Sequence, residues 1–124
     1  MSATRAMGRA SLRGTIGWRA VAVLASLALV PLMWLPVIDP FPEVTLWYAD
    51  KWQHALVYAA LTGLWFLAGQ GPVVAATVAT GWSLILECGQ LLLPYRGFEW
   101  LDLAANGVGA MGAAAMVWAW SRPR

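Results

Sequence analysis

His54, Glu87 and Asp102 are the residues of this chain best suited to exchange protons, an imidazole and two carboxyls whose proton affinities burial can move toward neutrality. Each has polar company at helical spacing. Asp50, Lys51, His54 and Tyr58 open one segment, Glu87 and Gln90 close another, and Asp102 and Asn106 open a third, with Arg96 between the last two. The same residue types ligate divalent metals, but no tight spacing such as His-Glu-x-x-His occurs. The sequence is therefore read as carrying neither a metal site nor a cofactor. No serine or cysteine in this zone is placed as a nucleophile, so hydrolysis by activated water is the catalysis open to these groups.

These polar residues lie at the ends of apolar runs, and composition says what the runs are. Of the 124 residues, 60% are hydrophobic and 11% charged, with nine tryptophans, which is too apolar for an ordinary soluble domain and too short for two domains. The expectation is an all-α membrane protein, a four-transmembrane-helix bundle with spans at about 18–37, 52–68, 73–93 and 103–120. Residues 1–15 form a basic cytoplasmic tail, and 16–124 the membrane domain. A cleaved signal peptide is the rival reading of the first run, with Ala25 to Ala28 as the small residues near a cleavage point. The retained helix is preferred because the apolar run continues through Val30 to Leu35.

Asp39 to Glu43, with two prolines, reads as an external loop, and Gly69 to Pro72 as a tight turn. Four spans place both termini on one side, together with six of the eight Lys and Arg residues, and the positive-inside rule makes that side cytoplasmic. The tryptophans agree: Trp18, Trp65, Trp118 and Trp120 fall at the inner interface, Trp34, Trp47, Trp52 and Trp100 at the outer one, and Trp82 near the middle. The arginines are thus topology signals, and nucleic acid is not an expected partner. Cys88, alone, offers no disulfide and reads as a small buried hydrophobe.

At 1.5 Å rise per residue, His54 lies roughly 6 Å inside from Asp50, and Asn106 roughly 6 Å inside from Asp102. Glu87 lies roughly 10 Å inside from Pro94. The i, i+4, i+8 series of Asp50, His54 and Tyr58 shares one helix face, as does the i, i+4 pair Asp102 and Asn106. Three helices then point polar groups into one shallow outward pocket, with Lys51 and Arg96 as counter-charges. Glu87 with Arg96, or Asp102 with Lys51, are the expected pairs. Asn106-Gly107-Val-Gly109-Ala-Met-Gly112 contains the letters of a dinucleotide fingerprint but lies inside an apolar span, so Gly109 and Ala113 are read as a helix-packing face.

Taken together, Asp50-Lys51-x-x-His54-x-x-x-Tyr58, Glu87-x-x-Gln90, Pro94-x-Arg96 and Asp102-x-x-x-Asn106-x-x-Gly109 resemble the VanZ-like membrane family, over most of the chain from Asp50 onward. The resemblance implies a small multi-pass protein of the bacterial inner membrane, in a family whose named member is associated with teicoplanin resistance. The pocket residues suit recognition of an envelope lipid or a lipid-linked precursor headgroup. The alternatives are acid–base chemistry on such a headgroup, carried by His54, Glu87 and Asp102, and a structural or partner-binding module whose polar pocket locks the helices together. Membrane lipids are the expected partners, and the sequence names no protein partner.

Overall fold

A computed structural model describes the backbone of residues 3–36 and 49–122 and the side chains of 14–36 and 50–122. Val37, the loop at Asp39 to Glu43, Trp47, Tyr48 and Arg124 lie outside the described residues. The described chain is all-helical: α1 (Ala3–Trp34), α2 (Ala49–Leu67), α3 (Pro72–Gln90) and α4 (Trp100–Trp120). α1 begins well inside the basic segment, because Ala, Arg, Met and Leu there are good helix formers and no proline intervenes before Pro31. α3 starts with Pro72 just inside its first turn, where the missing N–H has no helical partner to lose. It ends at Gln90, short of Leu93, in a run of tight turns through Tyr95, and Glu99 then caps α4.

Among the described residues three helical stretches are long and apolar enough to cross a membrane: Gly14–Trp34, Pro72–Gln90 and Trp100–Trp120. α2 falls short because Asp50, Lys51, Gln53 and His54 crowd its first turns. Large apolar side chains such as Leu24, Leu32, Ile85, Leu92, Val108 and Met116 face outward, the distribution that a lipid solvent favours.

Side-chain contacts set the helix directions. Arg19 donates to Ala68 O (3.1 Å) and Trp65 Nε1 to Ser26 Oγ (3.3 Å), so α1 and α2 run antiparallel. Trp82 Nε1 reaches Ser26 O (2.8 Å) and Trp34 Nε1 reaches Leu86 O (3.2 Å), so α1 and α3 run parallel. His54 meets Asn106, and Ala55 meets Gly109, which makes α2 and α4 parallel as well. The arrangement is up-down-up-down. Gly69, at φ +94°, turns the chain between α2 and α3 in a conformation that L side chains rarely adopt.

The core is small: Leu29, Tyr58, Leu61, Ala76, Ala79, Leu86 and Ala110. On α3 the buried stripe passes from Ala75, Ala76 and Ala79 through Ser83 to Glu87 and Gln90, so one end of the bundle is packed by methyl groups and the other by polar groups. α4 buries only Asp102, Asn106 and Ala110, one residue per turn. Cys88 is exposed, one residue on from buried Glu87 and therefore on a different face of α3, which corrects the reading of it as a buried hydrophobe.

α2 and α4 touch backbone to backbone. A Cβ added at Gly109 would sit 1.9 Å from Ala55 O, a position that only a shift of one helix can relieve. A Cβ at Gly112 meets nothing within 4 Å. Gly109→Ala is therefore expected to destabilise the protein by about 1–3 kcal/mol through overpacking, while Gly112→Ala is neutral or slightly stabilising. Thermal unfolding of the two variants in one detergent checks the difference.

Candidate functional site

The polar end of the bundle is built by the first turns of α2, the last turns of α3 and the first turns of α4. At its centre Lys51 Nζ contacts three carboxylates: Asp102 Oδ1, Asp50 at 2.8 Å and Glu99 at 3.0 Å. The Lys51 and Asp102 side chains are 17% and 10% exposed, whereas Asp50 and Glu99 are 63% and 59% exposed. Only the Lys51–Asp102 pair is therefore shielded enough to matter strongly for stability. At the head of α2, burial works against the Lys51 charge, yet the three carboxylates outweigh it and hold its proton affinity above the ordinary lysine range. The ammonium in turn holds the Asp50 carboxyl below its ordinary value.

One turn deeper, His54 Nδ1 lies 3.0 Å from Asn106 Oδ1, and Asn106 Nδ2 donates to Ser83 Oγ at 2.7 Å. An amide oxygen can only accept, so the neutral ring makes this bond in its Nδ1–H tautomer. His54 Nε2 then faces Asp102 Oδ2 at 3.5 Å. Tyr58, 1% exposed, stands beside the same Ser83. Glu87 is 3% exposed and accepts one hydrogen bond, from Glu99 N–H to Oε2 at 3.3 Å. No cation lies within ion-pair distance of it among the described residues.

Of the residues singled out in the sequence, Asp50, Lys51, His54, Tyr58, Glu87, Asp102 and Asn106 come together here. Gln90 and Arg96 do not join them. Gln90 Nε2 donates to Met33 O at 2.9 Å and Arg96 to Leu35 O at 2.8 Å, so both bind carbonyls at the C-terminal end of α1. Those carbonyls have no onward helical N–H to accept, which makes them good partners for donors from outside the helix. The expected Glu87–Arg96 pair is thus replaced by an Arg96–α1 contact, whereas the expected Lys51–Asp102 pair is present.

Ser83 and Glu99 belong to the site and were missed. Ser83 precedes Glu87 by four residues and Glu99 precedes Asp102 by three, so helical spacing alone marked both. Beside Glu99 a polar cleft of about 610 Å³ is lined by Pro36, Pro94, Tyr95, Arg96, Gly97 and Glu99. Arg96 spends one donor on Leu35 O, and Tyr95 donates its hydroxyl to Trp34 O at 2.8 Å.

Comparison with family models, curated proteins and solved structures finds no match for this chain. What the arrangement can do follows from its own chemistry. It places an imidazole nitrogen and two buried carboxylates together, and a guanidinium in an adjoining cleft.

Removing Lys51 leaves Asp102 as an uncompensated, largely buried charge. Lys51→Met is expected to destabilise the protein by about 3 kcal/mol, and Asp50→Asn by no more than about 0.5 kcal/mol. Equilibrium unfolding in mixed micelles reads both, and equal losses would show that the two carboxylates share the ammonium evenly.

Proposed function

We propose that the chain is a small VanZ-like protein of the bacterial inner membrane that recognises the polar headgroup of an envelope lipid or a lipid-linked wall precursor. In this reading all four helices cross the bilayer. α1 and α3 run parallel, so the chain must return between them, and α2 packs antiparallel to both. The polar first turns of α2 are tolerable at that depth because Lys51 and His54 face α4 carboxylate and amide groups rather than lipid. Both termini are then cytoplasmic with six of the eight basic residues, and the polar cluster and its cleft face outward.

The observation that carries the reading is the cleft. Tyr95 stands in its wall, and Trp52 and Trp100, residue types expected at a headgroup interface, are exposed at the starts of α2 and α4. Arg96 offers it a guanidinium with five N–H donors, of which one hydrogen bond is committed to Leu35 O. Arginine in this setting suits bidentate recognition of phosphate or carboxylate. The convergence of His54, Glu87 and Asp102 supports a second reading, proton transfer on the bound headgroup. Turnover of candidate lipids by purified protein, lost in His54→Ala, separates that from binding.

Native mass spectrometry of the protein released from bacterial membranes tests recognition. An anionic lipid is expected to stay on the wild type and to be lost, by about tenfold or more, from Arg96→Ala at unchanged thermal stability, since a charge-assisted contact contributes about 1.5–3 kcal/mol. A spectrum without a lipid that wild type retains in preference to Arg96→Ala and Glu87→Gln, with all three equally folded, overturns the proposal.

A further inference from the structure

We infer that His54, Glu87 and Asp102 form a binding site for one divalent transition-metal cation, of which Zn²⁺ is the best match. One nitrogen or oxygen from each residue lies within 4.8 Å of the others, a convergence that residues from three different helices cannot reveal by sequence spacing. His54 Nε2 and Asp102 Oδ2 are 3.5 Å apart. Two donors on one edge of a tetrahedron around Zn²⁺, at bonds of about 2.0–2.2 Å, stand roughly 3.4 Å apart. The two atoms thus already hold the spacing of a coordination edge, and a turn of the Glu87 carboxylate brings in the third donor.

The bonding around each donor fits the same reading. In the neutral Nδ1–H tautomer, the one that donates to Asn106 Oδ1, the Nε2 lone pair faces a carboxylate oxygen. Two lone pairs facing each other need a cation between them. An outer hydrogen bond from the remote ring nitrogen is also the usual support of a metal-binding histidine, and Asn106 is itself anchored on buried Ser83. Lys51 occupies Asp102 Oδ1 and leaves Oδ2 free to ligate.

Glu87 supplies the independent observation. It is a carboxyl group 3% exposed, with a single hydrogen bond from a backbone N–H and no ion pair to Lys, Arg or His among the described residues. A carboxyl group buried in this way ionises most readily beside a counter-charge. With Glu87 ionised, Glu87 and Asp102 together carry two negative charges against the one positive charge of Lys51, and a divalent cation reverses that deficit. Three protein donors leave at least one coordination position for water or for an oxygen of a bound molecule. The site stands independently of what the neighbouring cleft binds.

The test uses the full chain in detergent micelles, stripped with a chelator and titrated with Zn²⁺ by calorimetry, with metal content measured after dialysis. About one Zn²⁺ per chain is expected. His54→Ala and Glu87→Gln should each weaken binding by well over about tenfold, and Asn106→Ala, which removes the support of the ring without removing a ligand, by about tenfold. Arg96→Ala, in the cleft, should bind Zn²⁺ as the wild type does, so a failure of headgroup recognition leaves this result untouched. Circular dichroism confirms that each variant retains its helices, and Glu87→Gln, being nearly isosteric, serves if His54→Ala does not fold. A wild type that retains no metal after dialysis, or Glu87→Gln binding with wild-type affinity, overturns the site and leaves a proton between His54 and Asp102 as the occupant.

Discussion

The fold turns on the cost of burying charge. Breaking a buried ion pair by removing one partner costs about 3–5 kcal/mol, because the other charge is left uncompensated. This chain places Lys51, Glu87 and Asp102 on three different helices. Lys51 and Asp102 can be shielded together only if the starts of α2 and α4 lie side by side. That condition fixes the register of the two helices. Gly109 then permits the approach that brings His54 to Asn106, since any larger residue would hold the Ala55 backbone away.

The other end of the bundle is held differently. There Ala68, Ala75, Ala76 and Ala79 are buried and let α2 and α3 approach closely, and α1 is fastened through Arg19, which donates to Ala68 O, and through Ser26. Ser26 accepts Trp65 Nε1 on its hydroxyl and Trp82 Nε1 on its carbonyl, while its own hydroxyl donates back to Ala22 O. Two indoles thus find partners within an apolar interior, where an unsatisfied N–H would be costly. Among the described residues every fully buried side-chain nitrogen or oxygen has a hydrogen-bond partner.

Much of this was legible in the sequence wherever one helix was enough to decide it. The four helical segments follow from apolar runs broken at Pro94 and at Gly69 to Pro72, and the shared faces of His54 with Tyr58 and of Asp102 with Asn106 follow from helical period. What needed two helices was not legible. Arg96 looked like a partner for Glu87 because opposite charges attract, but α1 ends beside it with free carbonyls, a fact that no spacing between residues 87 and 96 contains. Cys88 was misjudged because its type is usually buried, whereas its place in the turn after Glu87 puts it outward. The extension of α1 to Ala3 was hidden by the charge of its arginines, which disfavour membrane burial without disfavouring a helix.

The parallel course of α2 and α4 has an electrostatic consequence. Both helices begin at the polar end, with Asp50 and Asp102 in their first turns. The aligned peptide dipoles of each helix place roughly half a positive charge there. The Glu99 N–H that reaches Glu87 is one of the donors at the start of α4. Part of the balance against the acidic side chains therefore resides in the backbone itself. It is supplied by chain direction, and no side-chain substitution that preserves the two helices removes it.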